Sequence, residues 1–108
     1  MVDMKKGDTL PALVVTITKT DGTALDLTDS TAKFVMVDSA GVEIIDEAMT
    51  VTDAENGIVQ YEWQAGDTDT AGEFRGEVKV TYSDGTLITA PAVDYIPINI
   101  DEDLDVAA

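Results

Sequence analysis

Residues 66–85 read GDTDTAGEFRGEVKVTYSDG, and the second half of this stretch decides the fold. From Glu73 to Tyr82, the residues Phe74, Gly76, Val78, Val80 and Tyr82 alternate with Glu73, Arg75, Glu77, Lys79 and Thr81. A period of two places successive side chains on opposite faces of a pleated strand, so one face meets a core and the other meets water. Asp84-Gly85 then supplies a turn. The mixed signs of Glu73, Arg75, Glu77 and Lys79 predict cross-strand charge pairs on the wet face.

The same signals recur on either side. Leu13, Val15 and Ile17 share one parity after Pro11, and Asp21-Gly22 predicts a tight turn. Leu25 and Leu27 read as a short second strand, and Thr31–Asp38 as a third with Ala32, Phe34 and Met36 on one side. On its other side stand Lys33, Val35 and Val37, a mixed face that predicts partial cover. Val42–Ile45 and Met49–Asp53 read as two pieces, and Glu55-Asn56-Gly57 predicts a hairpin into Ile58–Trp63, with Val59, Tyr61 and Trp63 inward. Residues 64–72 form a polar connection with room for one helical turn. Thr86–Thr89 and Val93–Ile100 complete the set, and Pro97, lacking an amide donor, predicts an edge or a bulge in the last strand.

About seven to nine short strands with no sustained helical period predict an all-β antiparallel β-sandwich. The approach Thr70-Ala71-Gly72-Glu73-Phe74 resembles the segment that leads into strand F of immunoglobulin-like sandwiches, which makes the expected fold immunoglobulin-like. The domain is expected over residues 7–100, with an N-terminal arm at 1–6 and an acidic C-terminal tail at 101–108. A chain of 108 residues matches one domain.

Charge narrows the partners. Twenty-two acids against 6 bases give −16. Removing Asp101, Glu102, Asp103 and Asp105 leaves 18 against 6, or −12, so the acidity belongs to the domain and not to its tail alone. Such a field repels phosphate backbones and anionic lipid, and no nucleic-acid or membrane partner is expected. The sequence has no cysteine, and MVDMKKGDTLPALVV lacks the apolar centre of a signal peptide. Both features are read as fitting assembly in a reducing cytoplasm.

Catalytic chemistry meets a shortage of side chains. Without His or Cys, the usual triads, thiol nucleophiles and imidazole metal sites are excluded, and no catalytic residue, metal ligand or cofactor is expected. Asp67-Thr68-Asp69-Thr70 and Asp53 with Glu55 offer oxygen ligands of the kind calcium takes. Neither fits a calcium loop, and hydrogen bonds to nearby turn amides are the expected use. Tyr61 and Trp63 share the parity of Val59 and belong to the core, not to a sugar platform. Tyr95 has the opposite parity from Ile96 and Ile98, which makes it the expected exposed partner contact. Leu104 and Val106 in the tail are further candidates for docking on a neighbour.

In sequence order, GDTLPALVVTITKTDGTALDLTDSTAKFVMVD (7–38) and NGIVQYEWQAGDTDTAGEFRGEVKVTYSDG (56–85) resemble the immunoglobulin-like N-terminal domain of tailed-phage baseplate upper proteins. The resemblance rests on Asp8-Thr9 with Pro11, Asp26-Leu27-Thr28, Tyr61 with Trp63, residues 66–72, and Tyr82 with Asp84-Gly85. It implies a non-catalytic virion structural protein, a baseplate or tail accessory or a head decoration subunit. Such a protein is assembled in the host bacterial cytoplasm and contacts other phage structural proteins, in a homo-oligomer or symmetric array. Baseplate upper proteins usually continue into a long C-terminal region that holds receptor-binding parts, and here the module is expected to act alone. The alternatives are a carbohydrate- or calcium-binding sandwich used in host adhesion, and a domain of a larger adhesin, against which the Met1 start is read.

Overall fold

The computed structural model describes residues 2–9, 12–19, 21–90 and 95–102. Among them are eight strands: β1 (Val2–Lys5), β2 (Leu13–Thr16), β3 (Ser30–Val37), β4 (Glu43–Asp53), β5 (Ile58–Tyr61), β6 (Gly72–Tyr82), β7 (Leu87–Ala90) and β8 (Ile96–Asp101). No described segment is helical, including the connection from Gln64.

The alternating segment becomes β6, the central strand. β3 runs along one edge of it, from Ser30 opposite Tyr82 to Val37 opposite Arg75. The other edge is shared end to end, with β8 beside Gly72–Gly76 and β7 beside Val78–Thr81. Outside β8 lies β1, and outside β3 lies the first half of β4. The second half of β4 leaves this sheet and pairs with β5, which in turn pairs with β2. The result is an all-β sandwich whose two sheets share β4, close to a barrel. Among the described residues β1, β2 and β7 each pair along one edge only, and the edges of β2 and β7 border an open seam.

The inward parities meet as expected. Phe34, Met36, Val59, Val78, Val80, Ile98 and Ile100 are fully buried. Each such side chain contributes about 1.5–3 kcal/mol through loss of apolar contact with water. Phe34, Tyr61 and Trp63 form an aromatic triad with ring centres 5.1, 5.4 and 5.8 Å apart. Tyr82 ends the core face of β6 and ties it to the far loop, its hydroxyl donating to the Asp26 carbonyl at 2.7 Å.

Several expectations give way. Within the arm expected at 1–6, Val2–Lys5 form strand β1, held because Met4 is buried in the core and its backbone continues the sheet. β1 pairs with β8 in parallel, Val2 opposite Ile98 and Met4 opposite Ile100, which departs from an all-antiparallel pattern. β8 is therefore interior, not an edge, although Pro97 precedes the first described β1 pairing at Ile98. Asp101, placed with the tail, is the last residue of β8. Leu25 and Leu27 form no strand. Leu27 is buried, and its amide bonds the Ala54 carbonyl across the loop at 2.8 Å, so burial is met without a ladder.

The two pieces expected at 42–53 are one eleven-residue strand. Its middle reads as a break because Asp46, Glu47 and Ala48 are all exposed, Glu47 opposite buried Phe34, just before the strand passes to the second sheet at Met49–Thr50.

Candidate protein-docking face

The odd-numbered residues of β6 point away from the core, and their neighbours are not the expected charge partners. Arg75 stands between Val37 on β3 and Pro97 on β8. Glu77 faces Val35, Glu73 faces Asn99, and Lys79 faces another lysine, Lys33. Lys33 turns instead to Asp46 at 3.0 Å, an exposed pair worth about 0–1 kcal/mol. The two cations of β6 turn to other neighbours, Lys79 to the Thr89 hydroxyl and Arg75 to a turn.

That turn is Asp38–Val42, between β3 and β4. The Asp38 carboxylate accepts from the Ala40 and Val42 amides, each at 2.9 Å, and Gly41 takes the left-handed φ of 86° that closes it. The Asp38 carbonyl accepts from the Gly41 amide at 3.0 Å and from an Arg75 terminal nitrogen at 3.3 Å. The Arg75 guanidinium carbon also lies 5.7 Å from the centre of the Tyr95 ring, within the range of a cation–π contact. Arg75 Nε is buried without an acceptor.

Around Arg75 the surface is largely apolar. Val35, Val37, Gly41, Arg75, Glu77 and Tyr95 line an open depression of about 320 Å³. Val42 and Ile44, in and just after the β3–β4 turn, are 58 % and 45 % exposed. Tyr95 is 42 % exposed and stands out from the sheet as its parity predicts. An exposed aromatic, a half-buried arginine and valines on an outward face have the composition of an interface centre.

The remaining candidates separate. Tyr61 and Trp63 are 2 % and 4 % exposed, inside the core. The Tyr61 hydroxyl donates to the Asp67 carboxylate, which also accepts from the Gln64 amide at 2.8 Å. Burial first, then that hydrogen bond and the Asp67 charge, push the Tyr61 phenol well above its ordinary range. Thr68 is buried and donates to the Asp8 carbonyl at 2.7 Å, fastening the 64–72 loop to the segment after β1. Asp53 accepts from Asn56, whose side-chain amide reaches it at 2.8 Å. Among the described residues no three carboxylates converge in a metal-binding group. Leu104 and Val106 lie outside the described residues.

Sequence reasoning brought forward Tyr95 but missed Arg75 and the two valines beside it. The signal was present, since Val35 and Val37 are apolar on the outward parity of β3.

The fold is that of an all-β sandwich domain. The chain belongs to the BppU N-terminal domain family, whose model matches residues 2–104, and it is a phage baseplate protein domain. Among solved structures, the N-terminal domain of phage TP901-1 ORF48 is similar with a TM-score of 0.70 and 14 % identity, over 94 % of this chain and 84 % of that one. CopC from Methylosinus trichosporium OB3b is similar with a TM-score of 0.57 and 10 % identity, over 98 % of this chain and 90 % of that one. At these identities the likeness is one of fold. No curated protein matches the chain.

Proposed function

We propose that this immunoglobulin-like domain is a non-catalytic baseplate or tail accessory subunit that works by protein–protein contact. The observation that carries this reading is the outward apolar face centred on Arg75 and Tyr95. Its partners are other virion structural proteins, met in a symmetric array after assembly in the host cytoplasm. The face combines an aromatic, an arginine and two valines with one carboxylate, Glu77, and tyrosine and arginine are residue types that concentrate binding energy. The strong negative field of the chain favours a partner with a basic surface. Leu104 and Val106 add a second expected contact through the tail.

For the carbohydrate-binding alternative Tyr61 and Trp63 offer no platform, being enclosed by the core, which leaves Tyr95 as its exposed aromatic. Of the carboxylates the calcium alternative would use, Asp67 and Asp53 are engaged with nearby donors. The test is immunogold electron microscopy of the phage that carries this chain, combined with capture of virion proteins by the wild-type and Tyr95→Ala chains. Label at the tail tip and weaker capture by the variant support the reading. Label on the head would make this a decoration subunit, and capture indifferent to Tyr95 would move the contact elsewhere.

A further inference from the structure

The open seam between β2 and β7 has the features of a strand-binding groove. Val15, Ile17, Leu25, Ile88, Ala90 and Ile96 lie along it, and the groove encloses about 510 Å³. Val15, Leu25, Ile88 and Ile96 are only half-buried against the core, so the seam shows apolar surface between the sheets. β2 is paired to β5 and β7 to β6, each on one side only among the described residues. Two strand edges therefore flank the groove with backbone amides and carbonyls that no described strand takes up. Edges of this kind are templates for an added strand.

We propose that the seam receives one extended segment of another virion protein, inserted beside β2 or β7, with alternate apolar side chains pointing into the groove and basic residues at its flanks. The alternation follows from the pleat, since every second side chain of an added strand faces the same way as the lining of the seam. The basic flanks follow from charge. The chain carries −16, and Lys19, the one charged residue lining the groove, stands in the field of the nearby Asp21 and Asp26 carboxylates, which are lowered first by Thr23 and Thr28 and to a lesser degree by Lys19. An acidic segment would meet this field as a like charge. The inference rests on the reading that the domain works by docking, but it concerns a different surface from the Tyr95 face.

The test uses the full chain, labelled for nuclear magnetic resonance, with two synthetic peptides of alternating valine and threonine. One is flanked by lysines and the other by glutamates. The lysine-flanked peptide is expected to bind and to slow amide exchange at Val14, Thr16, Leu87 or Thr89. The glutamate-flanked peptide is expected to bind at least about tenfold more weakly. Ile88→Asp should weaken the lysine-flanked peptide by at least about tenfold, while Val42→Asp and Tyr95→Ala leave it unchanged. If Ile88→Asp fails to fold, Val15→Thr tests the same groove with a change of similar volume. No binding at millimolar peptide, binding indifferent to the groove variants, or equal binding of the two peptides overturns the proposal. Protection of the same amides by raising the chain concentration alone also overturns it, by making a second copy the occupant. Loss of peptide binding with virion capture intact rejects the groove and leaves the docking face standing; the reverse result rejects the face alone.

Discussion

The Arg75 guanidinium carbon lies 5.7 Å from the centre of the Tyr95 ring, and the same side chain donates to the Asp38 carbonyl at 3.3 Å. One residue thus joins the central strand, the β3–β4 turn and the segment that opens β8. Arg75→Ala should lose the cation–π contact and the hydrogen bond to the turn, and lower stability by about 1–2 kcal/mol. Tyr95→Ala, at an exposed position, should change stability by less than about 1 kcal/mol while reducing capture of virion proteins. Thermal melts of both variants beside the capture assay check this. A Tyr95 variant that melts much earlier yet captures normally would make the contact structural only.

Two glycines test the packing. A Cβ at Gly76 would lie 2.8 Å from the Phe34 ring and 3.0 Å from the Ile98 methyl, both buried. Gly76→Ala should therefore destabilise by about 1–3 kcal/mol through overpacking. At Gly57 a Cβ would lie 2.5 Å from the Ile17 carbonyl, and φ is +69°. Backbone cannot swing aside as a ring can, so Gly57→Ala should cost more, about 2–5 kcal/mol with the left-handed strain included. Urea denaturation of the pair checks the order.

The core triad gives a third expectation. Phe34 is fully buried and touches both Tyr61 and Trp63. Phe34→Ala should cost about 3–5 kcal/mol, enough to remove much of the stability of a domain this size. A variant retaining the native melting temperature would show that the triad is not the centre of the core.

Stability should fall at both ends of the pH scale. Asp21 and Asp26 are held below 3.8 first by the hydroxyls of Thr23 and Thr28 and then by their amides; Asp84 is held below 3.8 first by the Thr86 amide. A folded value below the unfolded one means that the contribution is present above about 3.8 and is lost as pH falls through the folded values. Thr23→Val combined with Thr28→Val should flatten the acid limb of the melting curve. Burial raises the phenols of Tyr61 and Tyr82 above 10.0, so their contribution is present below that value and is lost as pH rises through the folded values. Phenolate absorbance is expected to appear together with unfolding; phenolate appearing fully in the folded chain at pH 10 would contradict this.

The strands that were legible in the sequence are those with one dry and one wet face. In β6 and β3 a regular alternation survives because each runs across a whole sheet, with Val78, Val80, Phe34 and Met36 on the core side. β1 was not legible, since its partner β8 lies at the other end of the chain and VDMK offers one buried residue, Met4. β4 lost its alternation at Asp46, Glu47 and Ala48, all exposed, just before it passes from one sheet to the other at Met49–Thr50. Tyr95 could be read from parity alone. Arg75 could not, because a charge in an alternating strand reads as solvated until the valine and proline on either side of it are known.

The central claim is that the Arg75–Tyr95 face is where this baseplate domain meets a neighbour. Cryo-electron microscopy of the intact virion measures it most directly. Density for this domain is expected at the baseplate, with Val35, Val37, Arg75 and Tyr95 covered by another virion protein. The same density with that face open to solvent, or density for the domain on the head, would contradict it.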